Sequence, residues 1–346
     1  MPNLLDRDLD HVLSHTGGVW ERLTGAEIFV TGGTGFFGCW MLETLLWANA
    51  RLGLGVSATV LTRRPDAFAR KAPHLVADSA LRMLEGDVRS FVFPDRGCTH
   101  ALHLAADTDA RRYDEDPLGM LDTIVAGTRR TLDFAVARGV KSFLLVSSGA
   151  VYGRQPYDLD RIPETYGGGP DPTQPKWTYG EAKRTAELLG CLYAERHGLP
   201  VKIARCFAFA GPYMPLDRHF AMGCFVGDVL AGRPILVRGD GTPLRSYLYT
   251  ADLAAWLWTI LVNAPSGRAY NVGSQEPVSI AQLAETVSRS LSATAGVQIL
   301  GQAEPGRAPE RYVPSVERAR TELGLENWIG LEESIRRTAA WHKAKR

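Results

Sequence analysis

The chain has 346 residues, enough for one large domain or two interlocked domains. Hydrophobic residues make up 45% of it and charged residues 22%, which is ordinary for a soluble globular protein. The formal net charge of +1 gives no reason to expect a nucleic-acid or an anionic-membrane partner.

Cysteines, histidines and apolar runs exclude several further classes of protein. Five cysteines are scattered without a CxxC pair, so neither a disulfide framework nor a zinc site is expected, and a reduced cytoplasm is the simplest location. Eight histidines show no metal-ligand spacing, so no metal is predicted. No apolar run is long enough to span a bilayer, and residues 1–22 lack the pattern of a secretory signal.

The first half of the chain predicts a layered α/β structure. Residues 1–25 are an N-terminal extension in which Trp20 and Leu23 could share one face of a short helix. Short apolar runs then alternate with helical patterns, which argues for a parallel sheet with helices on both faces. The predicted strands are residues 28–31, 57–62, 81–86, 101–105 and 141–147, and the helices are residues 37–52 and 120–137.

The second half is less regular. A long loop rich in Pro, Gly and Asp covers residues 156–175, and loops of that length in compact domains are often functional. The pattern then predicts helices at residues 179–195, 220–230 and 251–262 and a buried strand at residues 201–205.

A glycine-rich segment lies between the first strand and the first long helix. Residues 31–38 read TGGTGFFG, which contains both GxGxxG and GxxGxxG. Glycines permit a tight turn and a close approach of a diphosphate, and the helix N-terminus offers free N–H groups. The segment therefore predicts dinucleotide binding by Gly32, Gly35, Phe36, Phe37 and Gly38.

The ends of the next strands extend the predicted cofactor site. The second strand ends at Arg63 and Arg64, where an acidic residue would favour NAD, so NADP(H) is favoured and NAD(H) remains possible. Asp87, next to Val88, could accept a hydrogen bond from the adenine amino group or simply form a turn. Small residues after the fourth strand would let the chain pass close to the cofactor; the segment comprises Leu104, Ala105 and Ala106.

Tyr179 and Lys183 form a YxxxK pair at the start of a predicted helix. The i, i+4 spacing puts both side chains on one face, and a neighbouring ammonium lowers the pKa of a phenol. Such a phenol can donate or accept a proton near neutral pH. Ser148, at the end of the fifth strand, can hydrogen-bond the reacting oxygen.

These motifs, in this order, resemble the extended short-chain dehydrogenase/reductase superfamily, and within it the NAD-dependent epimerase/dehydratase family of nucleotide-sugar enzymes. The resemblance covers about residues 27–325 and rests on the glycine segment, Gly86-Asp87, the SSGAVYG run at residues 147–153 and YGEAK. It implies that Ser148, Tyr179 and Lys183 are the catalytic triad and that Lys183 also holds the nicotinamide ribose.

The resemblance also implies the fold and the domains. The expected class is α/β: a Rossmann-type doubly wound parallel sheet with a smaller mixed α/β C-terminal substrate domain. The expected dinucleotide domain covers residues 26–206 and receives about 246–264, and the substrate domain covers residues 207–245 and 265–346. A homodimer is expected through helices near residues 116–137 and 179–195.

A diphosphate clamp is expected in the second half of the chain. Residues 239–247 resemble the family's GDGxxxRDF/Y segment, so Arg245 is the candidate for gripping a phosphate, with Arg307 or Arg311 as a second clamp. Each could instead be a solvated surface charge. The remaining candidate substrate residues are Asp107, Gly149, Ala208 and His219.

Several departures from the family pattern narrow the expected reaction. The 4,6-dehydratases carry Asp-Glu directly after the residue equivalent to Ser148, whereas this chain has Gly149 and Ala150, which cannot transfer protons. Dehydratase and uronate decarboxylase chemistry are therefore disfavoured, and so is the 3,5-epimerising reductase pattern, which places a Cys at Gly149. Two customary Asn residues are replaced by Ile124 and Ala208.

Three functions remain open on these grounds. The first is reduction of a 4-keto nucleotide sugar by NAD(P)H, with 4-epimerisation on bound NAD as its alternative. The second, of another class, is a non-catalytic dinucleotide sensor, against which the complete triad argues. The third is reduction of a non-nucleotide carbonyl compound, which tight binding of a plain nucleoside diphosphate would exclude.

Overall fold

The computed structural model describes residues 4–106, 115–217 and 220–345. The chain forms two compact units. Unit 1 comprises Met1–Val151, Asp171–Arg205 and Ala254–Tyr270, and unit 2 comprises Tyr152–Pro170, Cys206–Leu253 and Asn271–Arg346.

A seven-stranded sheet forms the centre of unit 1. Its strand order is β11-β6-β5-β4-β1-β2-β3, and the pairs β3–β2, β2–β1, β1–β4 and β4–β5 are parallel. The order reverses between β1 and β4, which is where doubly wound sheets open a crevice at their carboxyl ends. The strands are β1 Glu27–Thr31, β2 Ser57–Thr62, β3 Leu81–Glu85, β4 His100–His103, β5 Ser142–Ser148, β6 Val201–Cys206 and β11 Ala269–Val272.

These strands confirm the predicted fold class, with ends that move by one or two residues. Every residue of β5 is buried, which explains the continuous apolar run in the sequence. Beneath the sheet, aromatic rings pack closely, with ring centroids 4.3 Å apart for Phe29 and Phe134 and 5.3 Å apart for Phe29 and Phe91. Strand β11, at the edge of the sheet beside β6, has no counterpart among the predicted strands.

Each of the five helices predicted from the sequence is present in the structure. The long helices begin up to three residues earlier or end up to two residues later than predicted, as helix ends commonly do. The helices are α1 Asp6–Ser14, α2 Phe36–Leu52, α3 Pro65–Lys71, α4 Pro73–Val76, α5 Pro117–Ala137, α6 Thr178–His197, α7 Ala221–Leu230, α8 Thr250–Asn263, α9 Ile280–Ser290, α10 Glu317–Leu323 and α11 Leu331–Ala344.

The N-terminal residues fold onto unit 1 instead of forming a separate extension. Helix α1 packs against α2, and the short helix expected around Trp20 is one 3-10 turn, Glu21–Leu23. The Trp20 and Trp258 rings lie 5.1 Å apart. Their indole N–H groups donate to Thr16 and Thr44, each over 2.7 Å, so both large side chains are buried without an unsatisfied donor.

Unit 2 is built from small sheets and amphipathic helices. Strand pairs β7 Phe209–Ala210 with β10 Leu248–Tyr249, and β8 Ile235–Val237 with β13 Val297–Ile299, are parallel. A third sheet has the order β12-β9-β14, formed by Val278–Ser279, Leu244–Arg245 and Arg311–Tyr312. Helix α9 begins with a capping box in which Ser279 and Gln282 each bond the other's backbone N–H.

The boundary between the units differs from the predicted one at residues 152–170. That segment was assigned to the dinucleotide domain, but it belongs to unit 2. The physical reason is backbone pairing: Ile162 donates to the carbonyl of Val313 over 2.9 Å, and Gln155 accepts from the Val313 N–H over 2.9 Å. Residues 246–264, which were expected to join the dinucleotide domain, are divided between the two units. Only the part from Ala254 onward belongs to unit 1.

The described residues contain neither a membrane-spanning helix nor a group of metal-ligating side chains. None of their helices is both long and apolar enough to cross a lipid bilayer. In the same residues, no three His, Cys, Asp or Glu side chains are grouped as metal ligands would be.

His103, which is buried, and His100, which is half-buried, predict that the folded protein is less stable in acid. Burial lowers the pKa of His103 to about 3 and that of His100 to about 4, so both are neutral at pH 7. Between these values and about 6.5, the unfolded chain binds protons that the folded chain does not, so stability falls as the pH falls. For His103 we expect a loss of about 1 kcal/mol per pH unit in this window.

Urea denaturation between pH 7.5 and 4.5 measures this effect. His103→Gln should start less stable at pH 7.5 but lose stability less steeply than the parent protein as acid is added. His197→Gln is the matched control, because His197 is exposed. Equal slopes for His103→Gln and the parent protein would contradict the assignment.

Candidate active site

The glycine turn between β1 and α2 is closed so tightly that side chains would not fit in it. Gly32 has φ 71°, and a Cβ there would lie 2.6 Å from the backbone nitrogen of Ala105. A Cβ on Gly38 would lie 2.4 Å from the carbonyl oxygen of Gly32. These two glycines are therefore required by the backbone itself, before any ligand is considered.

The N-terminus of α2 has the properties that a diphosphate requires. The helix begins after Gly35, and no side chain caps it. Its first N–H groups and the positive end of its dipole thus stay available to an anion. The rings of Phe36 and Phe37 lie 5.5 Å apart in the first turn. The turn therefore fits the diphosphate of a nicotinamide dinucleotide.

A buried histidine fixes the chain that passes the glycine turn. His103 lies between the hydroxyl groups of Thr31, at 2.7 Å, and Thr128, at 3.0 Å. The N–H groups of Leu104 and Ala105 donate to Thr31, over 3.0 and 3.3 Å. The predicted small-residue segment Leu104–Ala106 is thus held against Gly32 by β1 and α5 together.

The end of β2 presents a basic surface. Arg63 and Arg64 are exposed, and among the described residues their guanidinium groups have no hydrogen-bond or ion-pair partner. Lys71 reaches from α3 to donate to the carbonyl of Thr34, in the glycine turn, over 2.8 Å. The sequence carried no signal for Lys71, because the contact joins residues 37 positions apart.

Asp87, the candidate for adenine recognition, already binds a cation. Arg89 donates to both of its carboxylate oxygens, over 2.9 and 3.0 Å, and this pair lowers the pKa of Asp87. Val88 packs against the position where Gly127 lacks a side chain, with 2.8 Å between its methyl group and an ideal Cβ there. Arg89, adjacent in sequence, was not predicted as part of the site.

Helix α6 brings the YxxxK pair together. The ammonium of Lys183 lies 5.9 Å from the centre of the Tyr179 ring and donates to the carbonyl of Val146 over 2.8 Å. Lys183 is 3% exposed, whereas Tyr179 is half-buried. Ser148, at the end of β5, accepts from the N–H of Ala150 over 3.2 Å. A phenol beside a buried ammonium has the surroundings of a proton-transfer group.

A second group of polar side chains holds the same end of β5. Ser147 donates to Glu187 over 2.6 Å, and Arg205, from β6, donates to both oxygens of that carboxylate, at 2.7 Å for the shortest bond. Glu187 and Arg205 are not among the site residues predicted from the sequence. The available signal was the spacing of Glu187, four residues after Lys183 on the same helix face.

The candidate phosphate clamps lie in unit 2 and differ in their surroundings. Arg245 is half-buried, 5.9 Å from the ring centre of Tyr312, and Nη1 donates to the carbonyl of Leu244. Arg311, on the adjacent strand, pairs with Asp160. Arg307 forms an exposed pair with Glu304 over 3.1 Å.

The remaining predicted substrate residues are small or lie outside the described residues. Gly149 is buried in the 3-10 turn Gly149–Tyr152, and Ala208 is half-buried, with its carbonyl accepting from Leu248. Asp107 and His219 are outside the described ranges.

Comparison with known proteins agrees with this geometry. The profile of the NAD dependent epimerase/dehydratase family matches residues 28–273. UDP-glucuronic acid decarboxylase 1 of Arabidopsis thaliana is 30% identical over 313 residues, which cover 90% of this chain and 68% of the relative. The family match covers more than half of the chain, and the relative is named for a reaction of a nucleotide sugar.

Two solved structures share the fold over almost their whole length. The dTDP-glucose 4,6-dehydratase of Streptomyces venezuelae, with NAD bound, is 26% identical, with a TM-score of 0.79 over 92% of this chain and 98% of that one. UDP-glucose 4-epimerase of Thermotoga maritima is 21% identical, with a TM-score of 0.78 over 92% of this chain and 99% of that one.

The closed glycine turn predicts that Gly38→Ala removes dinucleotide binding. The added methyl group would meet backbone atoms at 2.4 Å, so α2 must shift away from the turn, at a cost of about 1–3 kcal/mol. Calorimetric titration with NAD⁺ and NADP⁺ should show affinity at least tenfold weaker. Gly17→Ala is the control, because its Cβ would meet nothing within 4 Å. Unchanged affinity in Gly38→Ala would contradict the assigned turn.

Proposed function

Because the chain belongs to the NAD dependent epimerase/dehydratase family, we propose that it is a nucleotide-sugar oxidoreductase that reduces a 4-keto group with NAD(P)H. The observation that carries this proposal is the set Ser148, Tyr179 and Lys183 without an acidic residue directly after Ser148. This set can move one proton to or from a sugar oxygen and has no second acid or base beside it in the sequence.

The residues after Ser148 separate this proposal from the reactions of the named relatives. Elimination of water needs an acid and a base in addition to the tyrosine. Gly149 and Ala150, in a buried 3-10 turn, have no titratable side chain. The name dehydratase therefore describes that relative alone. The name decarboxylase is not carried over either, because the uronate decarboxylase pattern keeps a Glu where this chain has Ala150.

Proton transfer in the proposed reaction belongs to Tyr179. Its phenol donates a proton to the carbonyl oxygen as that oxygen gains charge, and Ser148 donates a hydrogen bond to the same oxygen. Lys183, positively charged and buried beside the phenol, favours the phenolate that remains. When bound, the nicotinamide cofactor supplies the hydride.

NADP(H) is the proposed cofactor because two guanidinium groups follow β2. Arg63 and Arg64 are exposed and have no side-chain hydrogen bond or ion pair within the described ranges, so they are free to bind a 2′-phosphate. NAD(H) is the alternative, and the Streptomyces venezuelae relative was solved with NAD.

Unit 2 is the proposed binding site for the nucleotide diphosphate. Arg245 is the preferred clamp, since its guanidinium is half-buried beside Tyr312 without a carboxylate partner in the described residues. Arg311 and Arg307 would have to leave Asp160 and Glu304 to bind phosphate. They are therefore the weaker candidates.

We also propose a homodimer and a reducing compartment. Helices α5 and α6 pack against each other, and α6 leaves Leu188 and Leu192 exposed on the side suited to a second copy. All five cysteines are free thiols, which supports the cytoplasm as the location.

Loss of NADPH absorbance with 4-keto nucleotide sugars tests the reaction. We expect one NADPH consumed per sugar reduced, and Tyr179→Phe should lower kcat at least about 100-fold while the dissociation constant of NADPH stays within twofold. Tyr193→Phe is the matched control, because it removes a hydroxyl group from the same helix.

Other outcomes identify the alternatives. Interconversion of 4-epimers by protein that retains NAD during purification would replace the reductase with an epimerase. Full activity of Tyr179→Phe would contradict catalysis by Tyr179. Cofactor binding without turnover of any carbonyl compound would favour a sensor.

The double variant Arg63→Gln/Arg64→Gln tests the cofactor preference. Removal of two charge-assisted hydrogen bonds should raise the KM for NADPH at least tenfold and leave the KM for NADH unchanged. Arg70→Gln is the control, because Arg70 is an exposed arginine on the neighbouring helix α3. An unchanged ratio of the two KM values would exclude 2′-phosphate recognition by this pair.

A further inference from the structure

A buried ion pair lies one helical turn beyond the Tyr179/Lys183 pair. Glu187 follows Lys183 by four residues on α6 and is 8% exposed. Arg205, on β6, donates to Glu187 from Nε over 3.0 and 3.2 Å and from Nη2 over 2.7 Å. The arrangement is bidentate, which is the strongest form of a carboxylate–guanidinium contact.

The same carboxylate holds the strand that carries Ser148. Ser147 donates to Glu187 over 2.6 Å, and Lys183 donates to the carbonyl of the preceding residue, Val146, over 2.8 Å. One face of α6 thus binds two consecutive residues at the end of β5. Burying two opposite charges costs desolvation that their attraction often fails to recover, so stability alone is a weak explanation for the pair.

The pair also contributes charge near the candidate proton donor. Residues four and eight positions apart on a helix are separated by about 6 and 12 Å along its axis, so Glu187 lies about one turn from Lys183 and about two turns from Tyr179. At an effective dielectric constant near 20, one uncompensated charge at about 12 Å changes a proton equilibrium by up to about one pH unit. While both members are present, the pair is neutral and this influence nearly cancels.

We propose that Glu187 and Arg205 are positioning residues that fix the end of β5 against α6 and keep the charge around Tyr179 and Lys183 balanced. Glu187 holds Ser147 in place and Arg205 neutralises Glu187. Lys183 thereby remains the cation that governs the Tyr179 phenol. This inference rests on the proposed role of Tyr179.

Few other charged or titratable groups of the described residues face this part of α6. His103, at the end of β4, is influenced by Lys183 but is neutral, because burial lowers its pKa to about 3. From α5, Asp133 and Arg129 act on Tyr193, four turns beyond Tyr179. Burial, and then Glu187, raise the pKa of Cys191 on the same helix, so this thiol is uncharged at neutral pH.

Two single variants, each of which removes one charge of the pair, test the proposal because they should shift the pH profile in opposite directions. Glu187→Gln removes one negative charge, so Tyr179 loses its proton more readily, and the alkaline fall of kcat for ketone reduction should move down by about half a pH unit. Arg205→Gln leaves the Glu187 charge and should move the same limb up by about half a pH unit. Arg205→Lys keeps the charge and should not shift it.

The double variant Glu187→Gln/Arg205→Gln separates charge from structure. It removes both charges together, so its pH profile should return to within about 0.2 of a pH unit of the parent profile, even where kcat stays low. Shifts in the same direction for both single variants, or no shift in folded single variants, would overturn the proposal. Circular dichroism and the melting temperature establish that each variant is folded.

A second measurement does not depend on the substrate. The phenol of Tyr179 can be titrated by ¹³C NMR of tyrosine-labelled protein, with its signal assigned by its loss in Tyr179→Phe. The pKa of the Tyr179 phenol should fall in Glu187→Gln and rise in Arg205→Gln. If these shifts occur without turnover of any nucleotide sugar, the proposed function fails and the charge coupling stands; if turnover occurs without them, the coupling fails alone.

Discussion

The buried ammonium of Lys183 is the constraint on which the arrangement of the candidate site depends. A charge that is 3% exposed must be compensated within the protein, and here it binds the Val146 carbonyl and lies beside the Tyr179 ring. That requirement fixes α6 against the carboxyl end of β5. The strand in turn delivers Ser148 to the carboxyl edge of the sheet, the edge at which α/β proteins bind their ligands.

The glycine turn obeys a steric constraint of the same kind. Backbone atoms come so close at Gly32 and Gly38 that neither position has room for a Cβ. His103 reinforces the turn, because its neutral ring joins Thr31 of β1 to Thr128 of α5. The cofactor end of the site is therefore held by packing and neutral hydrogen bonds, whereas the end with Tyr179 is held by charge.

Local patterns explain what could be predicted from the sequence. The fully buried run of β5, the YxxxK spacing on one helix and the glycine segment each lie within a few residues, so their structure follows from periodicity and backbone sterics. The contacts that were missed join distant positions: Glu187 with Arg205, Lys71 with Thr34, and residues 152–170 with the strand near Val313. A single sequence carries no periodic signal for such pairs.

Within the family, the reaction of this chain is inferred from two small residues, Gly149 and Ala150. The dTDP-glucose 4,6-dehydratase that is 26% identical shares the fold with a TM-score of 0.79, and the decarboxylase is 30% identical in sequence. Elimination of water nevertheless needs an acid and a base beside the sugar carbons that react. Where this chain has Gly149 and Ala150, no side chain can supply them, and a tyrosine, a lysine and a serine suffice only for exchange of one proton and one hydride. The reaction is therefore argued from these two positions, because fold similarity is common to all of the candidate reactions.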